Sequence, residues 1–353
     1  MADFCSALYL GMRHPARSLP DWQQLTLGKP AAMQEAPGAR ALAEELAALQ
    51  GCDAALLMPS TLHLYWDLFG MLSDAGSGFG SAHSVLLVDA ASYPVARWGA
   101  QQAVAQGMPL QLFPPGDAVA AERLAKWWRQ RGRRPILLAD GYCPGAPQAP
   151  PLAAYAGIVR QHGGCLVLDD TQVLGVLGDA GGGSLSVHGI RCGQEGSEVI
   201  MGASLAKGFG VPLAVLSGSR PMVERMAAVG QVRRHCSPVS VATIAAGQNA
   251  LRINRQRGEV LRARLMQGVG LLRDGLARRG IVCGGGQFPV QTVRLPTQVG
   301  LAQVHAALER DGVQVVAQPR RDGGTLALLV RADHREQELR QAIAALQRQL
   351  KRI

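Results

Sequence analysis

Leu166-Val-Leu-Asp-Asp-Thr-Gln-Val-Leu-Gly-Val-Leu-Gly178 and Val199-Ile-Met-Gly-Ala-Ser-Leu-Ala-Lys-Gly-Phe-Gly-Val-Pro212 are the two stretches that decide how this chain is read. Each opens with an apolar run of strand length and then breaks into small and polar residues. The first run ends on Asp169 and Asp170, at the carboxyl edge where open α/β sheets bind ligands. Taken alone, either aspartate suits a turn cap. The second run leads to Lys207, held between small residues that let a ligand approach the backbone. The chain has four lysines against thirty-two arginines. Arginine keeps a protein basic, but only lysine can be desolvated into a neutral amine that condenses with an aldehyde. Lys207 therefore asks for a chemical reason, whereas Lys29, Lys126 and Lys351 suit the surface.

Working outward, residues 38–50 carry an amphipathic helical pattern, and Ala54-Ala-Leu-Leu-Met58 suits a buried strand. Val85-Leu-Leu-Val-Asp89, Pro135-Ile-Leu-Leu-Ala139, Cys165-Leu-Val-Leu-Asp169, Glu198-Val-Ile-Met201 and Leu213-Ala-Val-Leu-Ser217 continue the series, with helices expected near 119–131 and 151–162. This alternation predicts an α/β fold with a largely parallel sheet covered by helices. Residues 221–229 and 238–280 are mostly helical in pattern. Val290-Gln-Thr-Val-Arg-Leu295, Val313-Gln-Val-Val316 and Leu326-Ala-Leu-Leu-Val330, with helices near 300–311 and 335–351, form an α+β pattern. The expected organisation is an N-terminal segment (1–24) packing with a small domain, a large ligand-binding domain (25–247) and a smaller C-terminal domain (248–353).

Composition narrows the function classes. The net charge of +10 rests on dispersed arginine clusters, 129–134, 252–264 and 319–321, with no aromatic ladder between them, so nucleic-acid binding is the weaker reading. No apolar run reaches the roughly 20 residues of a membrane span, and the start lacks the pattern of a secretory signal. The expectation is a cytoplasmic protein with no membrane association. Seven cysteines form an odd set without CxxC spacing, and His63, His83, His162 and His188 have no ligand spacing, so neither a disulfide nor a metal site is expected. Gly181-Gly-Gly183 and Gly284-Gly-Gly286 do not fit a dinucleotide fingerprint and read as turns.

An aspartate after one strand and a lysine after the next is the order found in fold-type I pyridoxal phosphate enzymes. Four segments, these two included, resemble the α-oxoamine synthase family within that class. Phe4-Cys-Ser-Ala-Leu-Tyr-Leu-Gly-Met-Arg-His-Pro15 is similar to its F-x-S-N-D-Y-L-G-L-x-x-H-P stretch, and 169–183 to D-D-A-H-G-x-G-V-x-G-x-x-G-x-G. Lys207 and its neighbours resemble T-x-x-K-G-F-G, and Val330-Arg-Ala-Asp-His334 is similar to L-T-A-x-H. The resemblance implies a fold-type I transferase with a mainly parallel seven-stranded sheet and a smaller α+β domain, using pyridoxal 5'-phosphate. By that resemblance Lys207 carries the Schiff base, Asp169 pairs with the pyridine nitrogen and Ser204 contacts the phosphate. Thr61 and Leu62 fall where the family cups the phosphate with backbone amides, and Asp140 takes the place of a glutamate near the ring. Ser237 lies near a segment reaching across to a partner subunit, which implies a homodimer with shared active sites.

The departures from the family pattern concern the substrate half of the site. Tyr93 stands where the family places a stacking histidine, and an aromatic ring can still stack. Gln172 replaces a second histidine; its amide can donate to the cofactor's 3-oxygen but cannot shuttle protons as imidazole does. Ala7 replaces an asparagine, and Ala327 falls where the final strand carries an arginine for the substrate carboxylate. Arg331, two residues twice along the same strand, is a candidate substitute, with Arg13, Arg97 and Arg320 as others. The implied activity is condensation of an amino acid with an acyl thioester, borne by coenzyme A or acyl carrier protein. The alternatives are an aminotransferase acting on an atypical amine, another pyridoxal phosphate amine chemistry, and a non-catalytic partner subunit.

Overall fold

Strand-length apolar runs alternate with helices along most of the chain, and the order of these elements determines which loops meet. A computed structural model describes residues 1–144, 149–192, 198–296, 300–320 and 323–351; Arg321 of the third arginine cluster lies outside the described residues. In chain order the first elements are β1 (Ala2–Asp3), α1 (Ala39–Gln50), β2 (Ala54–Met58), α2 (Thr61–Ser73), β3 (Ser84–Asp89), α3 (Pro94–Ala105), β4 (Leu110–Phe113), α4 (Ala118–Arg129), β5 (Arg134–Asp140) and α5 (Leu152–Gln161). There follow β6 (Cys165–Asp169), α6 (Ser184–His188), β7 (Glu198–Ser204), β8 (Ala214–Gly218), α7 (Arg220–Val229), α8 (Gln231–His235) and α9 (Val241–Ala277). The last are β9 (Val290–Leu295), α10 (Leu301–Arg310), β10 (Val313–Gln314), β11 (Val316–Arg320), β12 (Gly323–Leu329) and α11 (Glu336–Leu350).

The residues cluster into two compact units. The larger holds 13–206 and 210–256; the smaller holds 1–12, 207–209 and 257–353, and α9 contributes residues to both. The larger unit is built on a seven-stranded sheet of order β2-β8-β7-β6-β5-β3-β4. β4, β3, β5, β6 and β7 pair in parallel, and β8 pairs antiparallel with both β7 and β2. Strand alternation sends successive side chains to opposite faces. Leu86, Val88, Ile136, Leu138, Val167 and Ile200 pack beneath α2, α3 and α7. Val85, Leu87, Leu137, Ala139, Leu166, Leu168, Val199 and Met201 pack against α4 and α5. Burial on both faces explains the unbroken apolar runs and leaves functional groups to the strand ends.

The smaller unit contains a three-stranded antiparallel sheet, β11-β12-β9, and a two-stranded parallel pair in which Ala2 registers with Val313. The run expected as one strand over 313–316 divides here: β10 ends at Gln314 and β11 begins at Val316. The two pieces then pair with different partners, β1 and β12.

One expectation is corrected. Cys52 and Cys192, 140 residues apart in sequence, pair as a disulfide with their Cα atoms 5.1 Å apart, whereas the sequence predicted none. An odd cysteine count says nothing about which two thiols the fold juxtaposes, and only the end of α1 and the loop after α6 bring these together. Among the described residues no helix is long and apolar enough to cross a membrane, and no cluster of His, Cys, Asp and Glu could hold a metal ion.

Candidate active site

Three adjacent parallel strands of the larger unit end on an aspartate: β3 on Asp89, β5 on Asp140 and β6 on Asp169. Asp140 and Asp169 are register partners, and Asp169 in turn registers with Gly202 on β7. All three aspartates are buried. Carboxylates so close and so desolvated need hydrogen-bond donors to stay ionised.

Asp89 accepts from the Ala91 N–H at 2.8 Å, the Gly116 N–H at 3.0 Å and the Tyr155 hydroxyl at 2.9 Å, so its oxygens serve to hold loops. Asp140 accepts from the Tyr93 backbone N–H at 3.0 and 3.2 Å, which fixes the start of α3. Burial, and then the negative charge of Asp169, hold the Asp140 carboxyl well above the usual carboxylate range. Asp169 accepts from the Thr171 N–H at 3.0 Å, and the Thr171 hydroxyl accepts from the Ser204 N–H at 3.0 Å. This short relay ties the ends of β6 and β7 together.

Asp170 is fully buried and accepts from both the Ser184 hydroxyl and, at 3.0 Å, the Ser184 N–H. Burial pushes its carboxyl up to about 6 against the opposing pull of the Ser184 hydrogen bonds. A Cβ at Gly141 would lie 2.2 Å from one Asp170 oxygen, and one at Gly183 would lie 2.0 Å from the other. The two glycines thus make room for the carboxylate that locks the turn beneath Asp169. Turn capping describes Asp170 well, which leaves Asp169 as the aspartate presented at the sheet edge.

The remaining expected site residues occupy separate positions. Thr61 and Leu62 open α2, whose N-cap Ser60 accepts from the His63 N–H at 3.4 Å. Helix N-terminal N–H groups of this kind favour anions. Tyr93 is exposed at the N-cap of α3, and Gln172 is half-buried in the turn after β6. Ser204 closes β7, and its hydroxyl accepts from the Ala206 N–H at 3.2 Å. Lys207 follows the last residue of β7 by three positions, and Ser237 is exposed between α8 and α9.

In the smaller unit Ala327 is buried on β12, opposite Val316 and Thr292. Arg331 is committed elsewhere: its guanidinium donates to the Asp3 carbonyl at 2.7 Å and pairs with the carboxylates of Asp3 at 3.2 Å and Asp333 at 2.9 Å. It holds the N-terminal strand in place, so its expected role as a substitute carboxylate clamp is not supported by its contacts.

Sequence reasoning missed Tyr65, Tyr155, Ser184 and Cys143. Tyr155 sits within a helical pattern that signalled only core, Tyr65 lies on a helix the sequence reading did not find, and Ser184 lies fourteen residues from the aspartate it serves. Cys143 lies beside Asp140, and burial followed by the charge of Asp140 pushes its thiol up. It behaves as a neutral donor.

No family model matches the chain. It is 31% identical to the 8-amino-7-oxononanoate synthase of Alkalilimnicola ehrlichii over 248 residues, 68% of this chain and 61% of that protein. It is 28% identical to the enzyme of the same name from Halorhodospira halophila, over 98% of this chain and 86% of the relative. Among solved structures, a serine palmitoyltransferase from S. paucimobilis superposes with a TM-score of 0.84 at 16% identity, covering 99% of this chain and 87% of that one. An 8-amino-7-oxononanoate synthase from Francisella tularensis superposes with a TM-score of 0.76 at 15% identity, covering 99% and 98%. The sheet order and these superpositions show that the chain shares the fold of these proteins. In sequence it resembles the 8-amino-7-oxononanoate synthases, which belong to the α-oxoamine synthase family.

Proposed function

We propose that this chain is a pyridoxal 5'-phosphate-dependent transferase that condenses an amino acid with an acyl thioester. The observation that carries the reading is the strand register: Asp169 ends β6 opposite Gly202 on β7, and Lys207 follows Gly202 by five residues. The donor set fits the cofactor. A buried carboxylate supported by the Thr171 N–H suits the ring nitrogen, and the N-terminus of α2 with Ser204 suits the phosphate. When bound, the group supplies an electron sink for charge developing at the substrate carbon.

Lys207 anchors the cofactor and moves a proton at the substrate carbon. Asp169 keeps the ring nitrogen protonated, Tyr93 offers its ring for stacking and Gln172 donates to the 3-oxygen. The backbones at Thr61 and Leu62 and the hydroxyl of Ser204 hold the phosphate, while Asp140 orders the loop that carries Tyr93. Ser237 completes the neighbouring site in a homodimer. The acyl donor is a coenzyme A or acyl carrier protein thioester.

A second reading, an aminotransferase, gains support from one feature: Arg331 is held by Asp3 and Asp333 while Ala327 offers no charge. An amine whose carboxylate is absent or placed elsewhere would be compatible with that surface. Loading the protein with pyridoxal phosphate, offering amines and then acyl thioesters, separates the two. Thioester-dependent release of carbon dioxide supports condensation; formation of pyridoxamine phosphate and a keto product without thioester supports amino transfer.

A further inference from the structure

Tyr65 is fully buried on α2, yet its polar tip reaches the end of the sheet. Its hydroxyl lies 3.3 Å from the Gly202 carbonyl oxygen and within hydrogen-bonding reach of the Asp169 carboxylate, the stronger acceptor for its single proton. Two glycines make room for it. A Cβ on Gly99 of α3 would lie 2.5 Å from the Tyr65 Cβ, and one on Gly202 would lie 2.6 Å from its hydroxyl oxygen. A tyrosine retained merely to fill the core would need no partner at the strand ends, whereas phenylalanine would fill the same space without a buried polar atom. Burial and the nearby charges of Asp169 and Asp140 keep the phenol un-ionised, so it stays a donor.

We propose that Tyr65 is a positioning residue for Asp169, donating a hydrogen bond that orients the carboxylate and limits its hold on a proton shared with a ring nitrogen. The proposal rests on the pyridoxal phosphate reading of the site. Asp169 faces Asp140 from β5, Asp170 in its own turn, Tyr65 from α2 and Cys143 from the loop after β5. Asp140 and Asp170 crowd it with further acid groups, and Tyr65 sets a neutral donor among them. Removing that donor shifts the shared proton toward Asp169, weakens the positive character of the ring nitrogen and raises the pH at which the cofactor's visible band titrates.

The test compares the wild-type protein with Tyr65→Phe, each loaded with pyridoxal phosphate and titrated by visible absorbance, alongside thermal unfolding of both without cofactor. The expected result is an upward shift of the band's midpoint by about half a pH unit or more, a fraction of the roughly 1–2 units that a hydrogen bond to a charged group is worth at the carboxylate itself. A lowered unfolding temperature with an unmoved midpoint would reduce Tyr65 to a packing role and overturn the proposal. Should Tyr65→Phe fail to fold, a fluorinated tyrosine at the same position keeps the shape and strengthens the donor; the midpoint must then fall. A wild-type protein with no visible band would overturn the cofactor reading and this proposal together, whereas a normal wild-type band with an unresponsive Tyr65 variant overturns only the proposal.

Discussion

Asp170→Asn is the substitution whose consequence follows most directly from the structure. Asp170 is fully buried, and although it accepts from the Ser184 hydroxyl and N–H, burial carries its carboxyl on folding from 3.8 up to about 6. A raised acid contributes stability that is fully present below pH 3.8 and is lost as pH climbs through about 6, because the unfolded chain ionises first. Each pH unit of difference corresponds to 1.36 kcal/mol, so the loss amounts to about 3 kcal/mol in total, most of it between pH 4 and 6. Asparagine mimics the neutral acid in shape and hydrogen bonding but does not titrate. Urea denaturation of both proteins without cofactor, from pH 4 to 7.5, should show wild type losing roughly 2.4 kcal/mol relative to the variant. Ser184→Ala, which removes an opposing donor, should move the end of this decline above pH 6. A difference between wild type and Asp170→Asn that stays constant across the range would refute the reasoning.

Gly202→Ala forces a methyl to within 2.6 Å of the Tyr65 hydroxyl and should cost about 2–3 kcal/mol by thermal or urea unfolding. Pairing it with Tyr65→Phe should recover part of that loss, since the offending oxygen is gone. Arg331→Met leaves the Asp3 and Asp333 carboxylates without their shared cation and should destabilise the protein by about 2 kcal/mol. It should also speed amide exchange at Phe4, whose N–H bonds the Gln314 carbonyl at 2.9 Å. Thiol titration in denaturant should find five reactive cysteines before reduction, Cys5, Cys143, Cys165, Cys236 and Cys283, and seven afterwards.

The large sheet was legible because its central strands are buried on both faces and therefore read as continuous apolar runs, from Val85 to Asp89 and from Cys165 to Asp169. β4 was not, since it is an edge strand with Gln111 and Leu112 exposed, and exposure removes the hydrophobic signal. α2 and α3 also escaped notice, although Ser60 and Pro94 mark their starts. Within the site, residues carried by strand ends could be found by position along the chain. Groups that reach it from a helix could not: Tyr65 lies 137 residues from the carbonyl it touches, a separation no local pattern encodes. Arg331 shows the opposite failure. Its place on an extended run suggested which way it faced, but partners at Asp3 and Asp333 decided its use.

The most direct test of the account is chemical trapping of the cofactor on Lys207. The protein is loaded with pyridoxal 5'-phosphate, reduced with borohydride, digested and mapped by mass spectrometry, with Lys207→Ala treated in parallel. The expected result is a phosphopyridoxyl group on the peptide containing Lys207 and none in the variant. Label spread over Lys29, Lys126 and Lys351, or no retained label in the wild-type protein, would contradict it.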